Sequence, residues 1–388
     1  MPFDLQLLAS IADVEEGAWD RLRDEQANPF VRWAWLAALE GSGCAAPEAG
    51  WIPRHLTLWR REGGVRRLVA AAPAYLRSSS DGDFSRDFGL ADAAYRAGLP
   101  YYPKLLLGVP FTPVTGRRLL VAADEPRGPA VRRLAAAAVE VAREAGAHLV
   151  QVLFPVAEEV EELAAAGFSR RLDFQFHWQN PGYATVADYL GRFDAKHRHN
   201  QRRERAAPGG QGITLRTVRG AELAAAPIRF ADLAHDLHSS TVDKLRWGRR
   251  WLNRAFYRRA FSTMAGDLEL VVAERGAEVV AGAFNVATPS HLWGRYWGCF
   301  EEHRFLHFNV CLYHSIDECI ALGRRRFEGG AGGEHKIPRG FEPALTYSSY
   351  RFLDRRLEGP FTAYLARESG EREAALDHFQ ARSPIWKR

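Results

Sequence analysis

Cysteine is scarce in this chain of 388 residues, where it occurs at Cys44, Cys299, Cys311 and Cys319. None of the spacings between these four residues is CxxC, and their density is far below that of a disulfide-rich secreted domain. The sequence therefore predicts neither a structural disulfide framework nor a metal site.

Long apolar runs are also missing. No stretch approaches the roughly 18 consecutive apolar residues that a membrane-spanning helix requires. Residues 1–20 lack a cationic segment followed by an apolar run, so they do not have the pattern of a signal peptide. We therefore expect a soluble, cytoplasmic protein without a membrane span.

The overall composition is that of a globular protein with a mild excess of positive charge. Hydrophobic residues make up 47% and aromatic residues 12% of the chain, which is ample for packed cores. A length of 388 residues predicts two domains rather than one. A net charge of +5 and a pI of about 9.1 favour an anionic partner, but they are too mild for a dedicated DNA-binding protein.

The densest group of reactive side chains lies in segment 327–343, FEGGAGGEHKIPRGFEP. Its two glycine pairs allow the backbone to approach a ligand closely. Glu334 and His335 are candidates for a catalytic base or proton relay. Lys336 and Arg339 are candidates for holding a phosphate or carboxylate. The alternative is a surface loop whose charges are simply solvated.

Two other regions carry candidate contacts to an anionic substrate. Lys104 lies in an apolar, aromatic run and is either a phosphate contact or a lysine that extends from an edge to solvent. A predicted helix at 185–205 begins apolar and ends in the cationic run KHRHNQRRER, so it is either part of an anion site or a solvated linker. The substrate-binding candidates on this helix are Arg198, Asn200 and Arg202.

A predicted strand at 292–298 contains glycines that alternate with an aromatic residue. Gly294, Tyr296 and Gly298 share one face of such a strand. Because glycine has no side chain, glycines on one face of a strand indicate that a ligand or a neighbouring helix lies close to that face. Tyr296 is therefore a candidate proton donor to a leaving group.

Arg127 and Gly128 precede a predicted helix, which is followed by a strand, a second helix and another strand. This order resembles the cofactor half of the GNAT acyltransferase fold. In that family an Arg/Gln-x-x-Gly-x-Gly turn at a helix N-terminus holds the coenzyme A pyrophosphate, where free N–H groups and the helix dipole favour an anion. Arg127 and Gly128 match that turn and are the cofactor-binding candidates, although Pro129 removes one N–H donor.

Several stretches together resemble the FemAB-like peptidoglycan biosynthesis/recognition family, whose members are described as predicted N-acyltransferases with tandem GNAT folds. The resemblance spans nearly the whole chain, and EHKIPRGF is its most specific part. The stretches are residues 28–43, 101–120, 175–193, 196–205, 294–298, 305–323 and 327–348.

The resemblance implies an α/β fold of two tandem GNAT-like domains, with mixed sheets flanked by helices. We place an N-terminal domain at 1–180, a basic connecting helix at 181–210, and a C-terminal domain with a helical tail at 211–388. The implied function is an N-acyltransferase that moves an acyl or aminoacyl group to an amine, with a cell-wall precursor as the candidate acceptor. The donor is either acetyl-coenzyme A or aminoacyl-tRNA. The alternative is a non-catalytic protein that recognises a peptidoglycan precursor or another anionic ligand.

Overall fold

The computed structural model describes residues 3–24, 27–244, 248–381 and 383–385. The chain forms two compact units, and it does not divide between them at a single point. The first unit is Met1–Asp173 with Leu345–Ala374, and the second is Phe174–Ala344 with Ala375–Arg388.

The strands are numbered in chain order. They are β1 (Asp4–Leu8), β2 (Ile52–Pro53), β3 (His55–Glu62), β4 (Val65–Ala72), β5 (Ala74–Arg77), β6 (Lys104–Leu107), β7 (Leu120–Val121), β8 (Leu149–Leu153), β9 (Ser169–Gln179), β10 (Ile213–Arg219), β11 (Leu268–Arg275), β12 (Glu278–Ala287), β13 (His291–Cys299), β14 (Arg326–Glu328) and β15 (Glu342–Phe352).

The helices are numbered in the same way. They are α1 (Glu16–Asp20), α2 (Trp33–Gly41), α3 (Phe88–Arg96), α4 (Arg127–Glu144), α5 (Ala157–Ala165), α6 (Val186–Gly191), α7 (Ala195–Gly210), α8 (Gly220–Ala225), α9 (Pro227–Val242), α10 (Arg254–Thr263), α11 (Leu306–Phe308), α12 (His314–Ala321) and α13 (Arg355–Ala381). A π-helical turn, Asn309–Tyr313, joins α11 to α12, and a 3-10 helix spans Glu334–Arg339.

The first unit contains two sets of paired strands. Strands β1, β3, β4 and β7 pair antiparallel in that order. Strands β2, β5, β6, β8 and β15 also pair in that order, and β6 with β8 is the parallel pair. The apolar face of α4 supplies Leu134 and Ala138 to a core that includes Leu105 and Val150 of the sheet. An Ala-rich helix is suited to this position because its small side chains allow close approach to the strands.

The second unit is built on the strand order β10, β11, β12, β13, β14, β9. The neighbours are antiparallel except for β13 and β14, which are parallel. A parallel pair requires a crossover connection, and the helical segment from α11 to α12 supplies it. This crossover packs Leu312 and Ile316 onto Trp178, Phe327 and Phe341.

A helix, not a ligand, covers the glycine face of β13. A Cβ atom at Gly298 would lie 1.7 Å from the carbonyl oxygen of Leu237 in α9. The Tyr296 ring packs on His238 of the same helix, with 4.0 Å between the ring centroids. Gly294 instead backs onto β14, where a Cβ would meet Phe327 at 3.5 Å. Close packing against α9 therefore accounts for glycine at position 298, whereas the distance at Gly294 is an ordinary van der Waals contact that does not require glycine.

Candidate functional site

A turn of glycines follows β14 and precedes the 3-10 helix. Its backbone takes positive φ angles of 84° at Gly330, 82° at Gly332 and 97° at Gly333. These conformations are open to glycine and strained for other residues, which explains Gly330, Gly332 and Gly333. At Gly329 a Cβ atom would instead lie 3.1 Å from the Phe341 ring. We call residues 329–333 the glycine turn.

Lys336 lies beneath the glycine turn. The residue is 4% exposed, and its Nζ donates hydrogen bonds of 2.7 Å to each of the carbonyl oxygens of Gly330 and Gly332. No carboxylate among the described residues forms an ion pair with this ammonium group. Burial lowers the pKa of Lys336 to about 8. Two of its three N–H groups are thus committed to shaping the turn rather than to a phosphate.

Arg339 anchors the other end of the 3-10 helix. Its Nη2 lies 2.7 Å from Oε2 of Glu204 in α7, and its Nη1 donates to the carbonyl oxygen of His335 at 2.6 Å. The guanidinium lies 3.5 Å from the centroid of the Phe308 ring. The hydroxyl of Tyr189 donates to the Arg339 carbonyl oxygen at 2.6 Å. Arg339 therefore holds the segment in place and has few donors left for a substrate.

His335 and Glu334 are exposed at the start of the 3-10 helix. The His335 ring lies 5.8 Å from the Phe308 ring and 6.3 Å from the His307 ring. Partial burial and the neighbouring charges of Lys336 and Arg339 lower the pKa of His335. Its imidazole is therefore neutral at pH 7, with one ring nitrogen able to accept a proton.

Tyr296 is not brought to this cluster. The next residue, Trp297, contacts His307 with ring centroids 5.0 Å apart, whereas Tyr296 packs on His238 of α9. Successive residues of a strand point to opposite faces of its sheet. This placement directs Tyr296 away from His335 and does not support the predicted role as a proton donor opposite it.

Lys104 forms buried ion pairs within the first unit. The residue is 0% exposed, and its Nζ lies 2.8 Å from Asp83 and 2.9 Å from Asp87. Burial lowers the pKa of Lys104, but the charges of Asp87 and Asp83 outweigh burial and hold it above the ordinary value. The geometry supports neither the predicted phosphate contact nor a lysine that extends to solvent.

Arg127 and Gly128 do begin a helix, α4, but the guanidinium of Arg127 is already neutralised. Its Nη2 lies 3.1 Å from Glu159 and 3.0 Å from Glu162, and its Nη1 donates to the Leu119 carbonyl oxygen at 3.0 Å. Two carboxylates beside a helix N-terminus oppose the binding of a pyrophosphate. The predicted coenzyme A contact at this point is therefore not supported by the geometry.

The cationic run of the sequence lies on α7, which begins after an Asp194 cap and continues through Pro208. One side of the helix is anchored within the second unit, because Arg205 lies 2.6 Å from Asp317 and Glu204 binds Arg339. Arg198 approaches the Phe193 carbonyl oxygen at 3.5 Å, and Asn200 is half-buried. The exposed basic residues, which we call the basic face, are Lys196, His199, Arg202 and Arg203.

A buried pair that the sequence pattern does not reveal lies at the base of the glycine turn. His177 of β9 and Glu328 of β14 are cross-strand partners, with 3.8 Å between Nε2 and Oε2. They are 3% and 4% exposed. Burial, followed by the charges of Arg326 and Lys336, lowers the pKa of His177 to about 3. Glu328 directly precedes the glycines, but only the strand pairing identifies His177 as its partner.

Comparison with known proteins assigns this chain to a family. The FemAB-like family model, described as peptidoglycan biosynthesis/recognition, matches residues 10–387. The chain therefore belongs to the FemAB-like family, as its sequence stretches predicted. At the level of the family, this membership supports acyl- or aminoacyl-transferase activity. None of the curated proteins compared with the sequence matches it.

Solved structures confirm the mixed α/β fold. FemX is similar with a TM-score of 0.53 and 11% identity, covering 90% of this chain and 98% of FemX. The C-terminal domain of a putative lysylphosphatidylglycerol synthetase from Agrobacterium fabrum is similar with a TM-score of 0.51 and 12% identity, covering 92% of this chain and 93% of that chain. A tandem GNAT protein from the clavulanic acid biosynthesis pathway also matches, with a TM-score of 0.44, 17% identity, and coverage of 90% and 98%.

Across the described ranges, no helix combines the length and the apolar character needed to cross a bilayer. In the same residues, no group of three or more His, Cys, Asp or Glu side chains is arranged to hold a metal ion.

The buried ammonium of Lys336 predicts a pH-dependent stability difference. Its pKa is about 8 in the fold and 10.5 ordinarily, so between these values the unfolded chain binds more protons and stability rises with pH. We expect the free energy of unfolding of the wild type to gain about 2 kcal/mol relative to Lys336→Met between pH 7 and pH 9.5.

Urea denaturation of both proteins at the two pH values measures this difference. The matched control is Lys196→Met, which removes an exposed lysine and should show no such change with pH. A difference between wild type and Lys336→Met that is the same at both pH values would contradict the prediction.

Proposed function

We propose that this protein transfers an acyl or aminoacyl group to an amine and that the glycine turn with the 3-10 helix Glu334–Arg339 is the reaction centre. The observation that carries the proposal is a neutral, exposed His335 beside a backbone turn that is held from both ends. Lys336 fixes the turn from below through two carbonyl oxygens, and Arg339 fixes the helix to Glu204. Perturbed titratable groups that converge in this way are typical of functional sites.

The chemistry of amine acylation assigns a role to His335. The attacking amine must lose a proton as its nitrogen bonds to the carbonyl carbon. A histidine whose pKa lies below its ordinary value is in the accepting form at neutral pH. Glu334, the preceding residue, is also exposed, and we assign it the role of passing that proton to solvent. The glycine turn, which carries no side chains except that of Ala331, leaves room for the acyl group near the backbone.

The basic face of α7 favours aminoacyl-tRNA as the donor. Lys196, His199 and Arg203 are three and four residues apart and share one side of the helix, and Arg202 adjoins them. Arg203 and Arg304 both lie near the Phe305 ring, at 5.8 and 4.8 Å from its centroid. Clustered cations with an aromatic ring suit a phosphate backbone. Acetyl-coenzyme A is the competing donor, and the pairing of Arg127 with two carboxylates counts against it.

The proposed acceptor is an amine on a cell-wall precursor, which follows from the peptidoglycan description of the family. The second candidate function is recognition of such a precursor without catalysis. It is favoured by the commitment of Lys336 and Arg339 to internal contacts. Turnover of a donor distinguishes the two candidates, since a recognition protein binds the precursor without releasing deacylated donor.

Replacing His335 tests the reaction centre. We expect His335→Gln to lower kcat/KM roughly 100- to 10,000-fold, because the amine loses its proton acceptor. Transfer from alanyl-tRNA or acetyl-coenzyme A to an amine-bearing muropeptide nucleotide measures the effect. The acid limb of the wild-type profile should lie below pH 6.5, since activity rises as His335 loses its proton and its pKa is lowered from that value.

The matched control is His378→Gln, which changes an exposed histidine of α13. That variant should retain the wild-type rate and the wild-type acid limb. Unchanged turnover in both His335→Gln and a double variant that also carries Glu334→Gln would exclude this pair from the reaction.

The basic face predicts that binding of charged tRNA depends on salt. If Lys196, Arg202 and Arg203 each neutralise one phosphate, affinity should fall roughly 20- to 40-fold between about 50 and 200 mM salt. Arg202→Gln should make the slope of log affinity against log salt shallower by roughly one. Arg66→Gln, which removes an exposed arginine of the first unit, is the control and should leave it unchanged. Affinity indifferent to salt would contradict tRNA as the donor.

A further inference from the structure

Lysine is rare in this chain, and its occurrence at position 336 requires a reason. Five of the 52 basic residues are lysine, and the other 47 are arginine. An arginine stays charged in any protein environment, whereas a buried lysine readily loses its proton and becomes a nucleophile.

The hydrogen bonds of Lys336 match those of a neutral amine. Its Nζ has two carbonyl acceptors, Gly330 and Gly332, each at 2.7 Å. A neutral amine has two N–H donors and one lone pair, so both donors are satisfied and the lone pair is left for an electrophile. An ammonium group has a third N–H, for which the described residues provide no hydrogen-bond acceptor.

Burial, and not the charge of the neighbouring groups, lowers the pKa of Lys336, although titratable groups face it from several elements. The cation of Arg339 and the imidazole of His335 lie on its own 3-10 helix, and His307 belongs to the crossover helix. His177 of β9 is close enough for the charge of Lys336 to lower its pKa. The thiol of Cys311 acts in the opposite direction and raises the pKa of Lys336, but burial outweighs it.

We propose that Lys336 is a self-acylation site, which receives an acyl group from the donor that the protein uses. This proposal rests on the proposed function, since it requires an activated acyl donor at the glycine turn. The Nζ lone pair attacks the donor carbonyl carbon, and a C–N bond forms. The ester C–O bond of an aminoacyl-tRNA, or the C–S bond of a thioester, breaks. The proton lost from Nζ ends on the ribose hydroxyl or the thiol that leaves.

The product is an amide, which changes the contacts beneath the turn. An Nε-acyl-lysine keeps one N–H and has no charge, so one of the two glycine carbonyl oxygens loses its donor. The glycine turn, with its three positive-φ glycines, then keeps only one of its two hydrogen bonds to Lys336. Lys336 is covered by Gly330–Gly332, so acylation requires this short segment to move aside and prevents its return. Self-acylation therefore slows transfer to the external amine.

Peptide mass spectrometry of the full chain tests the proposal. One sample is incubated at pH 8 with alanyl-tRNA, a second with acetyl-coenzyme A, and a third with a trace of acetic anhydride, which needs no transferase activity. Lys196 and Lys244, both exposed at least in part, are the internal references. We expect Lys336 to carry at least roughly tenfold more acyl group than Lys196 in one donor sample, since burial lowers the pKa of Lys336 to about 8 and leaves much of its amine neutral at pH 8.

The outcomes separate this proposal from the proposed function. Acylation of Lys336 at or below the level of Lys196 with both donors overturns the proposal, whatever the anhydride sample gives. Donor-dependent acylation of Lys336 without transfer to an added amine supports the proposal and contradicts the assigned acceptor. Lys336→Arg, which retains the charge, should abolish the label at this position and leave that at Lys196 unchanged.

Discussion

The structure of the candidate site depends on one interaction, the burial of the Lys336 amine against two glycine carbonyl oxygens. Removing an ammonium group from water without a carboxylate partner is unfavourable. This unfavourable burial occurs beneath the turn in which three glycines have positive φ angles. Because Nζ contacts both Gly330 and Gly332, it fixes the turn without occupying the space above it. The same interaction leaves His335, the adjacent residue, at the surface of a well-defined backbone.

The second fixed point is the ion pair between Arg339 and Glu204. It joins the 3-10 helix to α7, and Glu204 also accepts a hydrogen bond from Tyr313 at 2.6 Å in the π-helical turn. The helix that bears the basic face is thereby held to the segment that bears His335. A donor whose phosphates contact Arg202 and Arg203 would thus bind to a surface connected with the proposed reaction centre. This connection is the physical basis for treating the two sequence features as parts of one site.

The sequence predicted the family, the mixed α/β fold and the concentration of charge at 327–343, because these depend on local pattern. Roles for Lys104, Arg127 and Tyr296 could not be assigned from sequence in the same way. The carboxylates that neutralise Lys104 and Arg127 come from Asp87 and Glu159, and pairing at those separations is set by tertiary structure. The face on which Tyr296 lies depends on where α9 packs. The three residues have this in common: the sequence position of a cation or an aromatic residue does not reveal its partner in the fold.

Hydrogen–deuterium exchange with and without donor tests the central claim most directly, namely that the glycine turn is where the donor is held. Amide exchange is measured in the free protein and with alanyl-tRNA or acetyl-coenzyme A. The account predicts slower exchange in peptides covering 327–343 and unchanged exchange in peptides covering 119–134, at the start of α4. Slower exchange at 119–134 with no change at 327–343 would contradict this claim and would indicate that the donor binds at the N-terminus of α4.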